Sequence, residues 1–218
     1  GTETRFQPSR RYLVHAEAEA MRLGPVLPLR LLAQNDSPVP ATELRSAALA
    51  LGGENPPRHW VTAFRDAGLV VEGDGPWGEG LSFASLALSM AFSDTLRAEA
   101  SARLRSGLGE LLAARSNSVD ELWASYELLR GSEAGARTLL AAAATPTKIP
   151  REQLFTALRQ ELAAHRERAG EHHARHVLER GGARAGSLRE QPVGGPRDHA
   201  GEGEQVADEL QRVVTALE

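Results

Sequence analysis

The sequence predicts a mainly α protein, a winged helix-turn-helix followed by an irregular, repeat-like helical region. Three observations predict it. Residues 27–83 run helix, turn, helix, Gly-Gly, helix, Gly-Leu-Val and a glycine-rich hairpin, which is the winged-helix order. From Ser85 onward the large apolar residues recur at helical spacing. Hydrophobic residues reach 41% but aromatics only 5%, so the core is built from Leu, Ala and Val and suits helix-on-helix packing.

Each element has its own signal. Residues 9–23 read as a helix, with Ser9 as N-cap and Leu13, Ala16, Ala20 and Leu23 on one face. Gly24-Pro25 interrupts it. A second, mostly buried helix starts near Pro28 with Leu29, Leu31 and Leu32. Asn35 to Pro38 is a turn signal, and Val39 lies between two prolines, where only a short edge strand is allowed.

Thr42 is the expected cap of the next helix, whose stripe is Leu44, Ala47, Ala48 and Leu51, and Gly52-Gly53 ends it. Pro56 and Pro57 are expected to open a third helix with a buried stripe of Trp60, Val61, Phe64 and Ala67, stopped by Gly68. Leu69–Val71 and Leu81–Phe83 then flank the hairpin loop 73–80. Later stripes are Leu96, Ala100, Leu104, Leu108, Leu111 and Leu112, then Leu122, Trp123, Tyr126 and Leu129, then Ala136, Leu139, Leu140 and Ala143. Pro150 opens a long helix carrying Leu154, Phe155, Leu158 and Leu162.

These signals divide the chain into an N-terminal helix (1–26), a winged helix (27–83), a helical-repeat-like region (84–180), a flexible linker (181–204) and a terminal amphipathic helix (205–218). The linker is assigned from its Gly, Pro and charge and its near lack of large apolar residues. Val206, Leu210, Val213, Val214 and Leu217 form the terminal stripe. Docking back on the helical region is its expected role, with partner binding as the alternative.

Chemistry is sparse. There is no cysteine, which excludes disulfides and thiolate sites. Walker A, GxSxG and HExxH patterns are absent, so no catalytic residue and no cofactor are assigned. His165, His172 and His176 share a helix face with Glu161 and Glu179, but an Arg/Glu-rich helix surface accounts for them and no metal site is assigned. No apolar stretch is long enough to span a bilayer, and a cytoplasmic location is expected.

Nucleic acid is the sharper question. The third helix of the winged helix offers Asn55, Arg58, His59, Thr62 and Arg65 as candidate DNA contacts. Phosphate contacts dominate DNA affinity, however. The hairpin supplies Glu72, Asp74 and Glu79, no Lys or Arg lies between Arg65 and Arg97, and the net charge is −4. DNA is therefore disfavoured. Trp77, at the hairpin tip, is the candidate protein-interface residue.

The stretch from Leu27 to Thr145 resembles the winged helix and first helical repeats of bacterial STAND-type signalling ATPases, including the large ATP-binding regulators of the LuxR type. Gly68-Leu69-Val70, Phe83 and Arg103-Leu104 carry the resemblance. Ser85 and Arg105-Ser106 stand where that family often has histidines. The resemblance implies a regulatory joint that packs against a neighbouring nucleotide-binding domain, followed by helices that bind a signal or partner. The expectation is a non-catalytic regulatory module acting through protein–protein contacts. The alternative is a DNA-binding transcription regulator with a helical dimerisation or sensing region.

Overall fold

The computed structural model describes residues 10–145, 149–183 and 200–217, with side chains described for 15–145, 149–168 and 205–216. The described residues are mainly α, with ten helices and one two-stranded antiparallel sheet. The chain forms two compact units, Gly1–Leu129 and Arg130–Glu218.

The first unit opens with α1 (Arg10–Leu23) and α2 (Leu27–Leu32). Pro28 sits in the first turn of α2, where its missing N–H has no intrahelical partner to lose. Ala16, Ala20, Leu29, Leu31 and Leu32 are buried. An ion pair from Arg30 to Glu17, 2.5 Å long and half-buried, ties α2 to α1. Gln34 is buried but satisfied. Its amide donates to the Arg30 carbonyl at 3.1 Å, and its Oε1 accepts from the Ser101 hydroxyl at 2.6 Å.

Helix α3 (Ala41–Ala50) starts one residue before the expected cap. Pro40 is the N-cap, and Thr42 lies inside the first turn, where its carbonyl accepts from the Ser46 hydroxyl. Leu44, Ala47 and Ala48 are buried as the stripe predicts, and Leu51 is half-buried. The end of α3 is a Schellman closure. Gly52 takes φ 83°, and the Gly53 N–H reaches the Ala48 carbonyl at 2.8 Å.

The next helix, α4, is shorter than expected, spanning Trp60–Asp66. The paired prolines delay it, because a residue before proline is pushed out of the α region, and both Asn55 and Pro56 precede one. Trp60 and Phe64 are buried and meet edge to face at 5.8 Å. Val61 is half-buried. Ala67, expected on the buried stripe, is exposed because it is the C-cap residue. Gly68 at φ 69° then repeats the Schellman closure, with Leu69 N–H on the Phe64 carbonyl at 2.9 Å.

Strands β1 (Val70–Gly75) and β2 (Gly78–Phe83) pair from Val70 opposite Phe83 to Gly75 opposite Gly78. Pro76 and Trp77 make the turn, with Gly78 at φ 89° beside it. Val39 adds one antiparallel bridge to Leu81, with bonds of 3.0 and 2.8 Å in the two directions. That backbone comes so close that a Cβ on Gly80 would lie 2.6 Å from the Val39 carbonyl carbon. Glycine is therefore required there by space rather than by φ.

Ser85 caps α5 (Leu86–Asp94), its side chain accepting from the Leu88 N–H at 3.3 Å. Phe83 stacks on Phe92 with centroids 5.4 Å apart, joining the hairpin to α5. On α6 (Ala98–Arg115) the buried stripe is Leu104, Leu108, Gly109 and Leu112. Leu96 precedes that helix and Ala100 is exposed, so neither belongs to the stripe. Gly109 lets α7 (Val119–Leu129) approach, since a Cβ there would stand 2.7 Å from Leu129 Cγ. Leu104, Leu108, Leu112 and Leu128 join the same core as Leu29, Leu44 and Phe64. This shared core is why α5 to α7 group with the hairpin, whereas the sequence places a boundary at 83/84.

The second unit holds α8 (Glu133–Ala143), α9 (Arg151–Ala183) and α10 (Ala200–Leu217). Gly131 at φ 78° precedes α8, and Ser132 caps it by accepting from Gly135 N–H at 3.0 Å. Pro150 starts α9, its carbonyl accepting from Leu154 N–H at 3.1 Å. Val206, Leu210 and Val214 are buried, and α10 packs on α9 and α8, so the terminal helix is docked. Residues 181–183 and 200–204, assigned to the linker from sequence, belong to α9 and α10. The remainder of that segment, 184–199, lies outside the described residues.

Candidate functional site

All five residues proposed to face DNA are exposed. They are not all helical. Asn55, Arg58 and His59 precede α4, and only Thr62 and Arg65 lie on it. Two of the five are engaged within the protein. The Asn55 Oδ1 accepts from Arg45 Nε at 2.8 Å, and the Arg65 guanidinium pairs with the Glu72 carboxylate of β1 at 3.0 Å.

The hairpin places Glu72, Asp74 and Glu79 in solvent, with Asp74 and Glu79 directly opposed across the strands. Carboxylates in such a pair repel each other. The hairpin surface beside α4 is thus acidic, and Arg65 is partly neutralised by it.

Trp77 is half-buried and packs against the core of the first unit. Its indole N–H is buried without a hydrogen-bond partner among the described residues. The ring therefore contributes to the fold of the hairpin, with part of its surface left in solvent.

The face of α9 named from the histidine spacing divides in two. The side chains of His172, His176 and Glu179 lie outside the described residues. Glu161 and His165 are not on a solvated surface: they are 1% and 6% exposed. The signal was present in the spacing, since Leu158, Glu161, Leu162 and His165 fall at i, i+3, i+4 and i+7 and continue the buried stripe of the helix. Glu161 Oε1 accepts from the Gly131 N–H at 2.8 Å, at the start of α8. Among the described residues no group of three or more His, Cys, Asp or Glu stands ready to hold a metal ion.

A shallow cleft of about 360 Å³ lies between α9 and α10, lined by Arg159, Leu162, Ala163, Arg166, Gln211 and Val214. Arg166 donates to Gln211 across it at 2.7 Å. Among the described residues no helix is long and apolar enough to cross a membrane. No protein-family model, curated protein or solved structure matches the chain.

Proposed function

We propose that this chain is a non-catalytic regulatory module of a bacterial signalling protein, with residues 27–83 acting as a winged helix that contacts protein rather than DNA. The order α2, the Val39 bridge, α3, α4 and the β1–β2 hairpin supports the winged-helix reading. The resemblance to STAND-type regulators suggests a neighbouring nucleotide-binding domain as the partner. Trp77, part exposed at the hairpin turn, is the residue through which the contact is expected to run.

The observation that carries the choice of protein over DNA is the acidic hairpin beside α4. DNA affinity rests on neutralising phosphates with Lys and Arg. Here Arg65 is paired with Glu72, and Asp74 and Glu79 add exposed negative charge on the same hairpin. Carboxylates held against a phosphate backbone are repelled.

An anisotropy titration of the full chain with duplex DNA in moderate salt tests this. Weak binding, with no submicromolar component, is expected. Submicromolar affinity that falls steeply with salt overturns the proposal and promotes the transcription-regulator reading. In that case Arg58 and Arg65 carry the contact, and replacing either one where it reads a guanine costs about 1–3 kcal/mol.

A further inference from the structure

We propose that Glu161 and His165 form an acid-sensitive latch that fastens α9 to the N-terminal end of α8. Both groups are buried deep in the second unit, at 1% and 6% exposure. Both act on the segment entering α8. Glu161 Oε1 accepts from the Gly131 N–H at 2.8 Å. The His165 ring bonds to the Ser132 backbone. The other ring nitrogen, Nε2, is buried without a hydrogen-bond partner among the described residues. One face of α9 thereby grips two successive backbone groups at the cap of α8.

The remaining polar atoms make the latch costly to charge. Glu161 Oε2, His165 Nε2 and Arg168 Nη2 are all buried without hydrogen-bond partners among the described residues. A proton added to His165 would go to Nε2, which has no hydrogen-bond partner among the described residues and shares its surroundings with the Arg168 guanidinium. Burial, and next the Arg168 charge, hold the imidazole below its ordinary value, against the opposing pull of Glu161, Glu133 and the Ser132 backbone. From α8 the facing charge is Glu133, which is already paired with Arg137. From α10 the titratable groups Asp208, Glu209 and Arg212 are exposed.

The sign follows. A histidine whose folded-state value is depressed binds fewer protons folded than unfolded between the two values. Its contribution to stability is complete above the ordinary histidine value of about 6.5 and is lost as pH falls through the depressed one. Mild acid therefore loosens the α8–α9 corner, whereas neutral pH holds it closed.

Hydrogen exchange of the full chain tests this between pH 7.5 and 5, with rates corrected for the intrinsic pH dependence of exchange. Amides at the start of α8 and along 154–165 are expected to lose protection on acidification, by up to about tenfold per pH unit, the limit for uptake of one proton. His165→Gln, which keeps an amide but cannot titrate, is expected to flatten that dependence. Should this variant fail to fold, an NMR titration of His165 in the parent protein decides instead. A midpoint below 6.5 supports the latch. A midpoint at or above 6.5, or protection in the parent that does not change with pH, overturns it, as does His165→Gln retaining the full dependence.

Discussion

At the scale of single residues, burial is what separates the informative positions from the ordinary ones. Trp60 and Phe64 are 4% and 0% exposed and lie one helical turn apart, so each supports the other as well as the core. Truncating either one to Ala is expected to cost about 3–5 kcal/mol, the usual range for a large buried aromatic. Urea melts read by circular dichroism check this, and a Trp60→Ala midpoint equal to the parent's would show that the α4 stripe is misplaced. The exposed Arg65–Glu72 pair is a different case. With both side chains nearly half in solvent, it contributes under about 1 kcal/mol, and its importance is to the charge of the surface. Trp60 and Phe64 were legible because an apolar i, i+4 pair ahead of a helix-stopping glycine has few other readings. The spacing puts Glu161 and His165 on the buried stripe of α9, but their partners are backbone groups 30 or more residues away, which spacing along the chain does not reveal.

At the scale of elements, the hairpin shows how a short strand pair is held in place. Two strands alone are marginal in water. This pair is fixed by the Phe83–Phe92 stack on α5 and by the Val39 bridge along β2. The bridge depends on Gly80. A Cβ there would meet backbone carbon, nitrogen and oxygen of Val39 at 2.6–2.8 Å, none of which can rotate away. Gly80→Ala is therefore expected to destabilise the first unit by about 1–3 kcal/mol, as overpacking does. The loss should be concentrated in hydrogen exchange of Val39 and Leu81, whose mutual bonds would open first. Full stability in that variant would mean that the bridge is dispensable. The prolines flanking Val39 announced an edge segment, but its partner strand was not legible, since a one-residue bridge leaves no alternating pattern.

At the scale of the whole molecule, the terminal helix of the second unit is the clearest case of an element whose placement matters. Leu210 is fully buried, with Val206 and Val214 one turn to either side. Leu210→Ala is expected to cost about 2–5 kcal/mol of the second unit's stability. Hydrogen exchange along 154–165 and 205–216 reads that cost. Slow exchange across 205–216 in the parent, lost in the variant, is the expected result, and rapid exchange in the parent would return this helix to the role of a partner-binding segment.

What the sequence alone determined is the part governed by local rules. The mainly α class, the helix stops at Gly52 and Gly68, the presence of a hairpin within 69–83 and the amphipathic stripes all follow from φ preferences and apolar spacing, which act within a few residues, although the strands run through most of the segment 73–80 expected as the hairpin loop. The tertiary structure decided the rest. It delayed α4 to Trp60, folded Trp77 partly onto the core and gathered Leu104, Leu108, Leu112 and Leu128 into the core of the preceding helices. It also docked α10 and turned a polar pair on α9 inward to the cap of α8. Each of these outcomes depends on which surfaces meet across tens of residues. Spacing along the chain shows that a face will be buried, but only packing selects what buries it.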